Sequence, residues 1–262
     1  MSMTKSRTDA RSRPDVRDGT TAGRYRVLAL IGAALLLCVS LFCGRAMYVG
    51  WVAHDALAEQ AALPARLARA DRATAVRETQ QLGASLRRWQ ELDPNDPAVA
   101  EWLGGVYTIT ARGAATVEAA AIEWKAAHEQ YSMAVVLRPT SPYAWANRAW
   151  ARYHLGLLDA QFYTALANAI RLGPWEREVQ LVVVDLGLGL WPVLPSDLRL
   201  KVLGMVQRGQ RRYAQNMVDI AARYGRLAEV CTFERLATLP ACKAAARSPT
   251  TPDAPVAVRA AS

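Results

Sequence analysis

Histidine and cysteine are scarce here, three of one and four of the other among 262 residues, so metal or nucleophile chemistry would have to be built around them. His54, His128 and His154 stand far apart, and no acidic or cysteine residue falls beside His154 at a metal ligand's spacing. No G-x-S-x-G, phosphate-loop, dinucleotide-binding or H-E-x-x-H pattern occurs. The run Asp185-Leu-Gly-Leu-Gly-Leu190 is glycine-rich, but it lacks the lysine or further glycine a phosphate would need, and Trp191-Pro192 ends it; it reads as a loose helix terminus. Glu118, Glu123 and Glu129 are spaced along helices as solvated charges, with nothing to make them a perturbed pair. The expectation is a protein without catalytic residues, cofactor or metal.

Recognition by aromatic side chains is the chemistry left. The stretch LRPTSPYAWANRAWARYHLG, Leu137 to Gly156, carries two Trp and two Tyr in about three helical turns. Aromatic rings lining a groove bury much area for few rotatable bonds, and they also stack on sugar rings. A peptide, a neighbouring helix and a glycan are all suitable partners; the alternative is that the protein's own helices cover the rings.

The elements that hold these rings follow from three similar endings, Trp89 to Pro94, Ala134 to Pro139 and Ala169 to Pro174, each with Leu two residues before Pro. A helix would stop there, because the proline ring cannot continue it. Pro139 and Pro174 lie 35 residues apart, and Pro94 and Pro139 lie 45 apart. This spacing resembles the tetratricopeptide repeat, a helix-turn-helix unit. From Pro94 the register places Leu103, Gly104 and Tyr107 at the repeat's Leu, Gly and Tyr positions; from Pro139 it places Trp145, Ala149 and Gly156 at its Trp, small-residue and helix-ending Gly positions. Two departures stand out: extra residues around Arg112 to Trp124, and Arg148 and Arg152 where Leu and an aromatic are expected. The resemblance implies that Trp145 and Ala149 are core. It places Tyr143, Ala146, Trp150, Tyr153 and His154 on the concave partner-binding face, beside Ala98, Glu101, Gly105, Thr108 and Ile109 of the preceding repeat.

Charge and hydropathy supply the address. The run Val27 to Gly44 is 18 residues without a charge, about 27 Å of helix, enough to cross a bilayer. Seven basic residues precede it, which by the positive-inside rule leaves the N-terminus in the cytoplasm and the rest outside. A cleaved signal peptide is the competing reading, through Gly44-Arg45-Ala46, but the apolar run is longer than a usual signal core. Of the net charge of +9, residues 1–45 hold +5, so no basic stripe is left for nucleic acid on the remainder. On the outer side Cys231 and Cys242 are a candidate disulfide, with unpaired buried thiols and metal binding as alternatives.

The expected organisation is all-α. A basic cytoplasmic tail (1–26) leads into one transmembrane helix (27–44) and a membrane-proximal helical segment (45–96) with a break at Pro64. Two divergent repeats (97–175), capping helices (176–243) and a structureless Pro- and Ala-rich tail (244–262) follow. Ser196 is placed to cap a helix through Arg212, and Asn216 one through about Glu229. The strings R-P-x-x-P-Y-A-W, here Arg138 to Trp145, and L-G-P-W-E, here Leu172 to Glu176, resemble the small single-pass VpsP-type proteins of bacterial exopolysaccharide gene clusters. That resemblance implies an accessory protein of the inner membrane with a periplasmic repeat domain. Its partners would be polysaccharide polymerisation or export proteins, or the glycan itself. The repeat domain of cytochrome c maturation is a further alternative, although it usually works beside a C-x-x-C module that this chain lacks.

Overall fold

The computed structural model describes residues 18–67 and 71–247, and among these there is no strand. Residues 1–17 of the basic tail and 248–262 of the expected structureless tail lie outside the described residues. The chain forms two units, Met1–Trp51 and Val52–Ser262.

Helix α1, Asp18–Leu67, is 50 residues long and contains the whole uncharged run. Its segment Tyr25–Leu63 is long and apolar enough to cross a membrane, and none of its most apolar window is buried by protein. Leu28, Leu36, Phe42 and Met47 are all more than 60 % exposed, an arrangement that favours lipid over water. Two boundaries differ from the sequence reading. The helix begins at Asp18 rather than near residue 27, and it does not break at Pro64 but ends at Leu67. An interior proline costs about 3 kcal/mol in a helix, which lengthy flanking turns can offset.

The second unit continues with α2 (Arg72–Leu92), α3 (Pro97–Gly113), α4 (Val117–Leu137), α5 (Pro142–His154), α6 (Ala160–Leu172), α7 (Arg177–Gly189), α8 (Ser196–Gly209) and α9 (Ala214–Arg223). Three short helices close it, α10 (Leu227–Val230), α11 (Glu234–Ala237) and α12 (Pro240–Arg247). Helices α2, α4 and α6 all end on the Leu that stands two residues before a proline. The helices that follow the first two start alike. Pro97 and Pro142 occupy the first turn, where a missing N–H is harmless, and the side chains of Asp96 and Ser141 accept from Ala98 N and Ala144 N at 2.8 and 3.2 Å.

Consecutive helices pack on one another, α3 on α4, α5 on α6 and α7 on α8, and alternate ones also touch, α3 with α5, α5 with α7 and α7 with α9. This is the neighbour pattern of stacked helical hairpins. The extra residues around Arg112 to Trp124 lengthen both arms of the first hairpin, 17 and 21 residues against 13 and 13 in the second.

Close approach explains two glycines. A Cβ on Gly104 would lie 2.5 Å from the Tyr131 ring, so α3 and α4 meet only because that position is bare. A Cβ on Gly187 would collide with Val202, so the glycine-rich run is a helix contact, helical through Gly189. Gly156, with φ at 71°, reverses the chain after α5 while Leu157 N donates to Arg152 O at 2.9 Å. The main core runs through α5 to α9 and includes Ala149, Phe162, Leu166, Val183, Met205 and Met217. Val52, Ala56 and Leu63 at the end of α1 share a second core with Leu82, Leu86 and Trp89 of α2 and Leu103 of α3.

The C-terminal segment corrects several expectations. Ser196 is the first residue of α8 and not its cap, and the helix stops at Gly209. Asn216 lies inside α9, which starts at Ala214 and stops at Arg223, ahead of Gly225 at φ 65°. Helix α12 continues to Arg247, past position 244, because the run after Pro240 is made of strong helix formers.

Candidate partner-binding groove

Helix α5 presents the aromatic row. Its phase is fixed at the start by Ser141 and Pro142, and one helical face then carries positions 143, 146, 150, 153 and 154 in succession. The structure distributes these side chains among different surroundings. Tyr143 is 36 % exposed, and its hydroxyl donates to the Glu176 carboxylate; that bond, followed by burial, pushes the phenol up to about 12. Ala146 is not on the groove surface. At 2 % exposure it belongs to the core with Ala149, Phe162 and Leu166, where α5 packs on α6.

Trp150, Tyr153 and His154 are half-buried and touch one another, the Trp150 and His154 rings edge to face at 5.1 Å and Tyr153 and His154 at 5.3 Å. The Arg112 guanidinium, at the end of α3, sits 5.3 Å over the Trp150 ring. His154 is held by stacking. Its ring lies flat on Trp124 of α4 at 4.0 Å, and Nε2 is buried without a partner among the described residues. Burial, and then Arg112, lower its pKa to about 4. Trp124 is the last of the extra residues, so the lengthened hairpin supplies the ring that covers one side of the row.

On the other side the row leads to α7 and α9. Burial raises Tyr153, as does the charge of Asp185, itself raised by burial. Asp185 takes a hydrogen bond from Tyr224 and one from Arg223 Nη1 at 3.1 Å. Burial and Asp185 together push Tyr224 up to about 12. The first hairpin contributes a depression. Glu101, Gly105 and Ile109, all on the expected face, line a cavity of about 330 Å³ with Gln60, Leu63 and Asn147. Thr108 turns aside, its hydroxyl 3.1 Å from that of Tyr131.

The two arginines that break the repeat pattern build a polar centre which the sequence reading did not assign. Arg152 is 4 % exposed. Its guanidinium meets Asp159 Oδ2 at 2.5 Å, Gln161 Oε1 at 3.2 Å and His128 Nε2 at 3.1 Å, joining α4, α5 and the cap of α6. Arg148 reaches the same Gln161 oxygen at 3.0 Å. Burial, then the charges of Arg152 and Arg148, keep His128 below its ordinary range, so its Nε2 is available as an acceptor. The signal was present as two mismatches to the repeat; what it lacked was the partners, which come from other helices.

Cys231 and Cys242 are joined, with Cα atoms 5.4 Å apart, and the bridge ties the end of α10 to α12. Among the described residues no group of three His, Cys, Asp or Glu could hold a metal ion. Fold and site together define a class: a domain of packed helical hairpins with a partly covered row of aromatic rings on α5, on a chain that also carries an apolar helix long enough for a bilayer. No family model matches the chain, and no curated protein matches it.

Proposed function

We propose that this chain is a membrane-anchored interaction protein whose helical hairpins hold a protein partner against the α5 face, with Trp150 and Tyr153 as anchors. The observation that carries the reading is that these two rings stay partly exposed on a structured face, although Trp124 stacks on the adjoining His154 and the charges of Tyr224 and Tyr153 act on one another. Rings left open at that point extend the groove surface where a partner can desolvate them. The anchor confines the domain to two dimensions and so raises the effective concentration of a membrane-bound partner. The basic residues ahead of the apolar run support a cytoplasmic N-terminus and an exported domain, periplasmic in an inner membrane. The strings at Arg138 to Trp145 and Leu172 to Glu176 support an accessory place in exopolysaccharide biosynthesis or export.

The test is crosslinking of the full chain in its native membrane, followed by purification and identification of what it carries. Recovery of glycosyltransferases, a polymerase or an export component is the expected result. Trp150→Ala and Tyr153→Ala should each reduce that recovery while leaving the helical circular dichroism intact. Undiminished recovery by both variants removes the groove assignment, and recovery of bound polysaccharide with no protein replaces it by direct glycan binding.

A further inference from the structure

The cavity on the first hairpin has an unusual lining. Three polar side chains, Gln60, Glu101 and Asn147, open on it from three different helices, α1, α3 and α5. None of the three makes a hydrogen bond among the described residues, and the Glu101 Oε1 atom is buried without a partner. A carboxylate oxygen withdrawn from solvent needs a donor, and native structures rarely leave one without. The rest of the wall is mostly apolar, with Leu63, Val106 and Ile109 offering aliphatic surface of the kind that accommodates a methylene stem, and the Trp102 and Tyr131 rings beside them.

The surroundings are acidic as well. Glu101, Glu176 and Glu178 all act on the Tyr143 phenol, in the direction that raises it. Of the bases in this region, Arg177 is already 3.5 Å from Glu178, and Arg112, whose charge acts with that of Glu101 on the Tyr131 phenol in the cavity wall, sits over the Trp150 ring and leaves the Glu101 oxygen without a partner. An acidic polysaccharide would be repelled here, and a neutral sugar would leave the Glu101 charge unmatched. A cationic side chain satisfies both the charge and the shape. Of the two candidates arginine has the better fit, since its five donors can serve a carboxylate and two amide oxygens at once, whereas a lysine ammonium offers three on a single atom.

We infer that this cavity receives an arginine side chain of the partner protein, its guanidinium on Glu101, Gln60 and Asn147 and its stem on Leu63, Val106 and Ile109. The inference rests on the reading of this face as a protein-binding groove, and gives it a chemical specificity: the bound segment is basic where it crosses the first hairpin and apolar or aromatic where it reaches Trp150.

The experiment titrates the full chain in lipid nanodiscs with three capped pentapeptides of sequence Leu-Ala-X-Ala-Leu, where X is arginine, lysine or the uncharged isostere citrulline, followed by calorimetry. The arginine peptide should saturate at millimolar concentration or below, the lysine peptide more weakly, and the citrulline peptide at least roughly tenfold more weakly, the loss expected when a charge-assisted bond is removed. Glu101→Gln should bring the arginine peptide to the citrulline level, whereas Glu129→Gln should change nothing. Glu101→Arg should reverse the preference in favour of a peptide with X as glutamate. Equal binding of the arginine and citrulline peptides, an unaltered affinity in Glu101→Gln, or no saturable binding of the arginine peptide each overturns the inference. The two proposals fail separately. Native partner recovered in full by Glu101→Gln but lost in Trp150→Ala keeps the groove and removes the arginine pocket; peptide binding that depends on Glu101, with recovery indifferent to Trp150 and Tyr153, does the reverse.

Discussion

His154 stands where a proton is unwelcome, flat on Trp124, edge-on to Trp150 and Tyr153, and within reach of the Arg112 charge. Its folded pKa of about 4 lies below the ordinary 6.5, so between those values the unfolded chain binds a proton that the folded chain refuses. Stability from this residue is therefore complete above about pH 6.5 and is lost as pH falls toward 4. His154→Phe keeps a ring on Trp124 and removes the titration. Urea midpoints measured from pH 4.5 to 7.5 should show a shallower loss on acidification in the variant than in the parent. The slope that remains belongs in part to His128, lowered by its own burial and by Arg152 and Arg148. An unchanged slope would mean that the ring is more accessible to water than its stacking indicates.

At the scale of the element, the disulfide holds segments too short to persist alone. Helices α10 and α11 are four residues each and α12 eight, below the length at which isolated helices are stable, yet Val230, Leu236 and Cys242 bury against the main core. Replacing both Cys231 and Cys242 by serine should lower unfolding stability by about 2–4 kcal/mol, and reductant should bring the parent to the same midpoint while leaving the variant unmoved. Faster hydrogen exchange should be confined to α10–α12. These elements also show what could be read in advance. Proline and an Asp or Ser cap are local signals, so the starts of α3 and α5 were legible at Pro97 and Pro142, and the Leu-x-Pro endings likewise. The end of α8 at Gly209 and the start of α9 at Ala214 have no such punctuation; there Met217 of α9 packs so close to Gly209 that a Cβ would collide with it, a contact no local signal announces. The aromatic row was legible as one face of α5, but not what packs around it. Trp124, Asp185 and Tyr224 come from helices whose approach no repeat register specifies, and Ala146, small and apolar, suits core and groove equally.

For the whole molecule, the division at Trp51 and Val52 separates a unit whose described residues form exposed apolar helix from one with buried cores of its own. The full chain should resist extraction from membranes by alkaline carbonate, while a chain beginning at Val52 should stay in the supernatant after ultracentrifugation, with an unfolding transition of its own; sedimentation of that shorter chain would place further lipid-seeking surface in the helical unit. The hairpins of that unit, for their part, are not interchangeable. Arg152 draws its carboxylate from the cap of the following helix and its imidazole from the preceding one. An inserted or shuffled hairpin would carry Asp159 and Gln161 along with Arg152 but leave His128 behind, removing one of three acceptors of a buried guanidinium. The array therefore behaves more like a sentence than like beads on a thread, since whatever hairpin precedes α5 must bring an acceptor where His128 now stands.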